Sequence, residues 1–318
     1  MPTIQKPKGR ELVILNVTDT HITKKDLDEK NDSFRTMCST TEELVRRVKP
    51  DLITHTGDFT FENSIPVYEF YADFIDKFGI PYAFVWGNHD NETDMNGLPR
   101  AAAAFHGHKL CLFEEGDESL GSGNYVIEIE ESGKAVEALI MMDTHDKTFS
   151  KDDWSFAHLT EKQLEWYEDR VWELKEKGCG ESILFTHMPI YAYKTAYNAA
   201  VKNPEYRAGL WESYGSGIWN EEYKDSIGVK WEDICCPKAD DGVLGKLTEC
   251  GHTKYAFCGH EHVNNFSIKY RGVRLTYALK TGPGAYWEPE MNGGTVIKIG
   301  SRGLYDMYHE YVVPERLK

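Results

Sequence analysis

The segment FVWGNHDNE, residues 84–92, ends an apolar run with Gly, Asn, His and Asp. We predict a buried strand over residues 81–86, and Gly and Asn suit the tight turn that follows it. Turn chemistry alone does not require a histidine. A strand that stops at Asn88 and His89 also directs these side chains at a bound ligand, and other strands of the chain end in the same way.

Four further apolar segments lead into polar residues of metal-ligand type. They are Glu11–Val17 before Asp19 and His21, Asp51–Thr56 before Asp58, Ser182–Phe185 before His187, and Tyr255–Cys258 before His260 and His262. Segments with helical spacing, residues 40–49 and 66–78, lie between the first strands. Strands that alternate with helices over short connections predict a layered α/β domain, which binds ligands at the carboxyl ends of its strands.

The rest of the chain predicts further layers of one domain spanning residues 1–318. We expect a β-hairpin at 124–142, an amphipathic helix at 160–177, and successive strands of a second sheet at Ser267–Tyr270, Arg274–Leu279 and Gly294–Ile299. Residues 191–245 lack clear periodicity and are rich in Tyr and Trp. They form either a packed insertion or a lid over the substrate site.

Composition limits the classes of partner. Hydrophobic residues make up 41% of the 318 residues, which is enough for a real core, and the formal net charge is −16. An acidic surface argues against binding a nucleic-acid duplex. No run of about 18 apolar residues occurs, so no membrane span is expected. The lack of a signal peptide and the odd number of cysteines favour the reducing cytoplasm.

The strand-end residues suit a pair of metal ions. Carboxylate and imidazole ligands are typical of Zn, Mn and Fe. Asp19 and His21 are two positions apart and project to the same side of an extended chain, so both can reach one ion, and the same holds for His260 and His262. Asp58 can bridge two ions through its two oxygens.

The two residues that follow Gly87 suit two different roles, metal ligand and general acid. Asn88 offers a neutral carbonyl oxygen to a second ion, where another carboxylate would overcharge the site. Two ions that clamp a phosphoryl group lower the pKa of a bridging water, and the hydroxide then attacks phosphorus. His89 need not be a ligand, and it is placed to protonate the leaving alkoxide as a general acid.

The ordered motifs resemble the calcineurin-like metallophosphoesterases. They are DTH (19–21), GD (57–58), GNHD (87–90), TH (186–187) and GHEH (259–262). The resemblance implies a two-sheet α/β/β/α sandwich. It also implies one metal held by Asp19, His21, Asp58 and His262, and a second held by Asp58, Asn88, His187 and His260.

Within this family, a looser resemblance links GSGNYVIEI (121–129) and GHEHVNNF (259–266) to the small purple acid phosphatases of the Dcr2 or PAP29 type. The chain departs from those enzymes at two places. Its first motif contains His21, and Phe61 stands where they carry a ferric-binding tyrosine. A phenyl ring cannot bind a metal, so we expect a protein that is not purple. The sequence leaves open whether the metal pair consists of Mn, Zn or Fe(II) ions.

Three nearby side chains have open roles. Asp90 either orients His89 or caps its turn. Arg100 either contacts a substrate phosphate or lies on the surface. Asn264 either contacts the substrate or makes hydrogen bonds within a turn. Asn88 and His89 are also expected to contact the substrate.

The sequence therefore predicts a dinuclear metal-dependent phosphatase that hydrolyses a small phosphomonoester, with Asp58 and His89 as catalytic residues. The first alternative is a phosphodiesterase for a cyclic nucleotide or another small diester, because the same centre performs both reactions. A second alternative is a non-catalytic scaffold of the same fold. The oligomeric state is not predicted.

Overall fold

The structure is a computed structural model that describes residues 1–92, 97–149, 153–202 and 219–314. The strands are, in chain order, β1 (Thr3–Gln5), β2 (Leu12–Val17), β3 (Leu52–His55), β4 (Tyr82–Phe84), β5 (Tyr125–Glu131), β6 (Lys134–Met141), β7 (Lys147–Phe149), β8 (Trp154–Phe156), β9 (Glu181–Phe185), β10 (Thr253–Cys258), β11 (Ser267–Tyr270), β12 (Val273–Tyr277), β13 (Gly293–Gly300) and β14 (Gly303–Tyr311). The α-helices are α1 (Asp32–Val48), α2 (Ile65–Asp76), α3 (Gly97–Ala103), α4 (Glu161–Glu176), α5 (Ala192–Ala200) and α6 (Val243–Cys250).

The strands form two large sheets and one small hairpin. The five-stranded sheet has the order β14-β13-β2-β3-β4, and the seven-stranded sheet has the order β1-β5-β6-β9-β10-β12-β11. Strands β2, β3 and β4 are mutually parallel, as are β6, β9 and β10. The carboxyl ends of each parallel set therefore meet at one edge of their sheet.

Three apolar clusters define four layers. Between the sheets, Leu12, Ile14 and Ala83 of the five-stranded sheet belong to one cluster with Leu139 and Phe257 of the seven-stranded sheet. The outer face of the five-stranded sheet packs against α1, α2 and α3, and that of the seven-stranded sheet packs against α4, α5 and α6. The α/β/β/α sandwich expected from the resemblance is confirmed.

Local capping chemistry fixes the ends of the longest helices. The Asn31 side chain accepts a hydrogen bond from the Phe34 amide at 3.0 Å and starts α1. Thr160 and Gln163 form a reciprocal capping box that starts α4. Lys49 caps the carboxyl end of α1; it has a left-handed backbone (φ 50°) and precedes a proline.

The sheets differ from the sequence-based expectation: strand β1 and the β7–β8 hairpin were not predicted, and the end of the chain pairs differently. Strand β13 is not a strand of the second sheet; it pairs antiparallel with β2, so that Val296 lies opposite Leu15. Strand β14 was not predicted and pairs with β13 at the sheet edge. Apolar alternation shows which face of a strand is buried, but it does not show which distant strand is the neighbour.

The aromatic-rich region is partly helical. Helix α5 buries Tyr193 and Tyr197 in the cluster on the outer face of the seven-stranded sheet, and α6 begins at its far end. These parts are packed, whereas residues 203–218 lie outside the described residues. Among the residues that the structure describes, no helix combines the length and apolar character needed to cross a bilayer.

Candidate metal centre

The polar strand ends of both sheets converge on one buried region. Asp19 and His21 follow β2, Asp58 follows β3, Asn88 follows β4, His187 follows β9, and His260 and His262 follow β10. Apart from His260, each of these residues is at most 4% exposed. Parallel strand order, rather than proximity in sequence, brings the side chains together.

The first group of donors contains Asp19, His21 and His262. The Nε2 atoms of the two histidines are 3.0 Å apart, and they lie 3.7 and 3.6 Å from Asp19 Oδ1. One ligand-type atom from each residue lies within 4.8 Å of the other two. The three side chains can therefore share one cation.

The second group of donors contains Asp58, His187 and His260, with Asn88 beside them. His187 Nε2 lies 3.2 Å from Asp58 Oδ2, 3.1 Å from Asn88 Oδ1 and 3.3 Å from His260 Nδ1. An amide oxygen, a carboxylate oxygen and two imidazole nitrogens thus face a common point. This set can hold a second cation.

Asp58 joins the two groups. Its Oδ2 lies 3.4 Å from His21 Nε2 in the first group and 3.2 Å from His187 Nε2 in the second. Its Oδ1 accepts a hydrogen bond from the backbone amide of His89 at 2.9 Å. One carboxylate therefore stands between the two donor sets, as a bridging ligand requires.

Hydrogen bonds on the outer side of two imidazoles support metal binding. His187 Nδ1 lies 2.7 Å from the Thr56 carbonyl, and His262 Nδ1 lies 2.8 Å from the Tyr286 carbonyl. A carbonyl can only accept, so each Nδ1 carries the proton and each Nε2 directs its lone pair at the site. The donor set fits Mn, Fe or Zn ions.

Burial and charge tune the ionisation of these groups. Burial lowers the pKa of His21 and that of His260 to about 3, which keeps both rings in the neutral form that binds metals. Burial is the largest single effect on His187 and lowers its pKa, but the charge and hydrogen bond of Asp58, the charge of Asp19 and the Thr56 carbonyl together raise it to about 10. The site therefore favours positive charge at His187 Nε2, whether a proton or a metal ion supplies it.

Four of the converging residues have a left-handed backbone. Asp19, His21, Asp58 and His260 have φ values of 55°, 45°, 58° and 80°. Such conformations cost of the order of 1–3 kcal/mol each for residues other than glycine, and they cluster at functional sites. Tight loops after the strands hold these side chains at the expense of local strain.

The left-handed backbone corrects one inference from the sequence. His260 and His262 are two positions apart, but they do not approach the same point: His260 lies in the second group of donors and His262 in the first. The expectation that both reach one ion assumed an extended chain, and φ of 80° at His260 breaks that alternation. The family resemblance also assigns these two histidines to different ions, and that assignment stays a prediction.

Asp90 organises the loops around the centre. Its carboxylate accepts hydrogen bonds from the amides of Asp58, Phe59 and Gly87 at 2.9, 3.1 and 2.8 Å, and from the Tyr68 hydroxyl at 3.0 Å. Of the two open roles, these contacts favour the cap. Asp90 thereby fixes the backbone on both sides of the bridging carboxylate.

The ring of His89 borders the site and is one-quarter exposed. It lies 4.5 Å from the Phe61 ring and 5.3 Å from the His21 ring, measured between centroids. Its Nδ1 lies 2.7 Å from Glu92 Oε2, and Lys147 Nζ lies 3.6 Å from the other Glu92 oxygen. Sequence reasoning missed Glu92, although a short turn that places residue i+3 beside residue i could have indicated it.

The two further candidates for substrate contact occupy different surroundings. Arg100 is exposed on α3. The side-chain oxygen of Asn264 accepts hydrogen bonds from the Trp231 and Glu232 amides at 2.9 and 3.1 Å, so it holds a loop. Contact of either residue with a substrate stays a prediction.

The buried residue Lys280 and the half-buried residue Tyr286 also support the centre. Lys280 donates a hydrogen bond to the Asp19 carbonyl, and its burial lowers the pKa of the ammonium to about 8. The Tyr286 ring stacks on His262 with centroids 4.1 Å apart, and its hydroxyl donates to Glu232 at 2.6 Å. Both residues hold first-group ligands in place.

The chain is similar in sequence to known proteins. A family model described as calcineurin-like phosphoesterase matches residues 12–264. The chain is 26% identical over 316 residues to an Arabidopsis thaliana protein named probable inactive purple acid phosphatase 28, which covers 87% of this chain and 72% of that protein. It is 25% identical over 255 residues to phosphatase DCR2 of Saccharomyces cerevisiae, which covers 72% of this chain and 39% of that protein.

Solved structures show the same fold. A dimetal phosphatase from Danio rerio superposes with a TM-score of 0.55 at 11% identity and covers 94% of this chain and 98% of its own. The purple acid phosphatase PPD1 from yellow lupin (Lupinus luteus) seeds has a TM-score of 0.50 at 12% identity and covers 94% of this chain and 53% of its own. The resemblance that the motifs predict is confirmed by these matches.

Proposed function

We propose that this chain, which belongs to the calcineurin-like phosphoesterase family, hydrolyses a small phosphomonoester. It would use a pair of divalent or mixed-valence metal ions. One observation carries the proposal. The Asp58 carboxylate stands between His21 Nε2 and His187 Nε2, at 3.4 and 3.2 Å. A carboxylate shared by two donor sets is the arrangement that a dinuclear centre needs.

Each cation would have its own donors. Asp19, His21 and His262 would hold one, Asn88, His187 and His260 the other, and Asp58 both. When bound, the ions supply charge neutralisation for the phosphoryl group and a water molecule of lowered pKa. The complete donor set supports catalysis, although an Arabidopsis relative is named probable inactive.

His89 would act as the general acid. Its backbone amide is tied to Asp58, and its Nδ1 faces Glu92, so Nε2 is the nitrogen available to a substrate. The alcohol part of a monoester leaves as an alkoxide, which needs a proton as the phosphorus–oxygen bond breaks. The Nε2–H of His89 would give that proton to the leaving oxygen, and solvent would restore it.

The cellular setting is part of the proposal. All seven cysteines are free thiols, which supports a reducing, cytoplasmic environment. The substrate would be a small phosphorylated molecule rather than duplex nucleic acid, because the chain carries a formal net charge of −16.

Steady-state hydrolysis of two model substrates tests this function. The full chain, loaded with Mn²⁺, Zn²⁺ or Fe²⁺, is assayed on p-nitrophenyl phosphate and on bis-p-nitrophenyl phosphate. We expect a higher kcat/KM on the monoester and its loss in Asp58→Asn, but not in a control with the exposed residue His106 changed to Ala. A preference for the diester supports the phosphodiesterase alternative, and no turnover with either substrate supports the scaffold.

A further inference from the structure

A third group of donor atoms adjoins the dinuclear centre. Cys235, His260 and Glu261 each place one ligand-type atom within 4.8 Å of the other two. Cys235 belongs to the segment before α6, whereas the other two residues follow β10. The group thus connects the aromatic-rich region to the loop that carries the candidate metal ligands.

The two nitrogens of His260 face different groups of donors. Nδ1 lies 3.3 Å from His187 Nε2 and belongs to the second group. Nε2, on the other edge of the ring, lies 3.9 Å from Glu261 Oε1. This Nε2 atom is buried, and it has no hydrogen-bond partner among the residues that the structure describes. The His260 side chain is 8% exposed, so water does not readily replace the missing partner.

Glu261 is a buried carboxylate that has no lysine or arginine at ion-pair distance among the described residues. It is 1% exposed, and its Oε1 accepts a hydrogen bond from the Cys235 amide at 2.6 Å. Its Oε2 makes no hydrogen bond of regular geometry. The Tyr277 hydroxyl and the Cys235 thiol both interact with this carboxylate. Within the described parts of the chain, His260 is its one contact at ion-pair distance, and the Lys230 ammonium acts on it from farther away.

We propose that Cys235 Sγ, His260 Nε2 and the Glu261 carboxylate bind a third divalent cation of the zinc class. A thiolate, an imidazole and a carboxylate are the ligands that Zn²⁺ takes in proteins, and three of them leave one tetrahedral position for water. Burying a nitrogen without a hydrogen-bond partner beside a carboxylate without a cation at ion-pair distance is costly unless a cation or a proton joins them. When the cation binds, the thiol proton of Cys235 and the Nε2 proton of His260 pass to solvent, and the ring becomes an imidazolate.

The proposed site gives His260 a bridging position. Its ring would hold the dinuclear pair through Nδ1 and the third cation through Nε2. The third cation would also fix the segment around Cys235 to the loop after β10. In the competing arrangement, His260 Nε2–H only donates toward Glu261 as an outer-shell contact, and no third cation binds.

A sulfur ligand distinguishes the proposed site from the dinuclear centre in an experiment, because none of the candidate ligands of the metal pair contains sulfur. The full chain, stripped with chelator and reduced, is titrated with Cd²⁺ and with Co²⁺, and thiolate-to-metal charge-transfer absorption is recorded. Zinc content is measured in parallel after dialysis. We expect about three ions per chain and a charge-transfer band in the wild type.

Matched variants locate the sulfur. Cys235→Ser is expected to abolish the band and to lower the zinc content from about three ions to about two, while Cys236→Ser, its neighbour, keeps both signals. Glu261→Gln is expected to lower the content in the same way. If the variants do not fold, X-ray absorption of wild-type zinc protein replaces them, with a sulfur scatterer expected at about one zinc in three.

Two results overturn the third site. One is a zinc content of about two ions with no charge-transfer band and no sulfur scatterer. The other is a band that persists in Cys235→Ser. Both results concern metal content and sulfur ligation, and neither depends on catalysis. A chain that binds two ions and shows phosphatase turnover therefore refutes the third site but leaves the proposed function intact.

Discussion

His21 and His262 are separated by 241 positions in the chain, yet their Nε2 atoms lie 3.0 Å apart. Both atoms also face Asp19 Oδ1. Two neutral imidazole lone pairs repel each other at this distance unless a cation or a proton lies between them. The contact therefore fits the place that we propose for the first cation.

Removal of one of these imidazoles should empty half of the centre. In His262→Ala, we expect the number of ions bound per chain to fall from about two to about one in the dinuclear centre, and turnover to fall by about a hundredfold or more. Elemental analysis and assay of p-nitrophenyl phosphate check this. His106→Ala, which changes a largely exposed imidazole, is the control. Full metal content in His262→Ala contradicts the assignment of this residue.

The acid role of His89 predicts a dependence on the leaving group. In His89→Ala, we expect kcat on an alkyl phosphate to fall by about 10²–10⁴, because an alkoxide needs a proton. The loss on p-nitrophenyl phosphate should be much smaller, since p-nitrophenolate leaves without one. Equal losses on the two substrates would exclude His89 as the acid.

Glu92 should act through His89. Its Oε2 lies 2.7 Å from His89 Nδ1, so Glu92→Ala is expected to reduce turnover of the alkyl phosphate by about tenfold, with a smaller effect on p-nitrophenyl phosphate. The matched control is Glu115→Ala, which removes the carboxylate 3.0 Å from the ring of His106. If Glu92→Ala affects both substrates alike, the positioning role is refuted.

Gly87 has no room for a side chain. A Cβ at this position would lie 2.1 Å from Asp58 Oδ1 and 2.3 Å from the Asp58 amide nitrogen. Gly87→Ala should therefore displace the bridging carboxylate and weaken metal binding by about 10–100-fold. Isothermal titration with Mn²⁺ measures the affinity.

Gly245 in α6 provides the control for this substitution. A Cβ there meets nothing within 4 Å. In a helix, Ala is favoured over Gly by about 1 kcal/mol, so Gly245→Ala should leave metal affinity unchanged and slightly raise the free energy of unfolding. If Gly87→Ala binds Mn²⁺ as tightly as Gly245→Ala does, the close contact between residue 87 and Asp58 does not control the position of the carboxylate.

Glu137 should make stability depend on pH far from the metal centre. Burial raises the pKa of this carboxyl from about 4.5 to about 8, and its Oε2 accepts a hydrogen bond from the Leu304 amide at 2.8 Å. The folded state binds this proton more tightly than the unfolded state. Its contribution to stability is therefore complete below pH 4.5 and is lost as the pH rises through about 8.

Glu137→Gln keeps the neutral form at every pH. We expect it to raise the free energy of unfolding at pH 8.5 by on the order of 2 kcal/mol and to change little at pH 4.5. Urea unfolding at both values measures this. Glu249→Gln, at a side chain that is 73% exposed, is the control. A gain at pH 4.5 as large as that at pH 8.5 would contradict the raised pKa.

The convergence of the strand ends could be predicted because it depends on short-range rules. An apolar run that stops at Asp19 or Asp58 marks a strand end, and parallel strands bring such ends to one edge. The order of the motifs also specifies the family. Neither inference needs the conformation of a single loop residue.

The remaining details depend on loop geometry and on contacts between distant segments. The separation of His260 from His262 requires a positive φ that no local pattern dictates. The pairing of β13 with β2 joins opposite ends of the chain. Lys280 and Tyr286 support the centre through contacts with loops after β2 and β10, and a linear pattern carries no signal for such contacts.

The central claim is that Asp58 is shared by two cations. Anomalous diffraction from a crystal of the Mn²⁺-loaded protein tests it most directly. We predict two manganese peaks on either side of Asp58 Oδ2, about 3.5–4 Å apart, one beside His21 and the other beside His187. A single peak, or two peaks that do not both contact Asp58, would contradict this account.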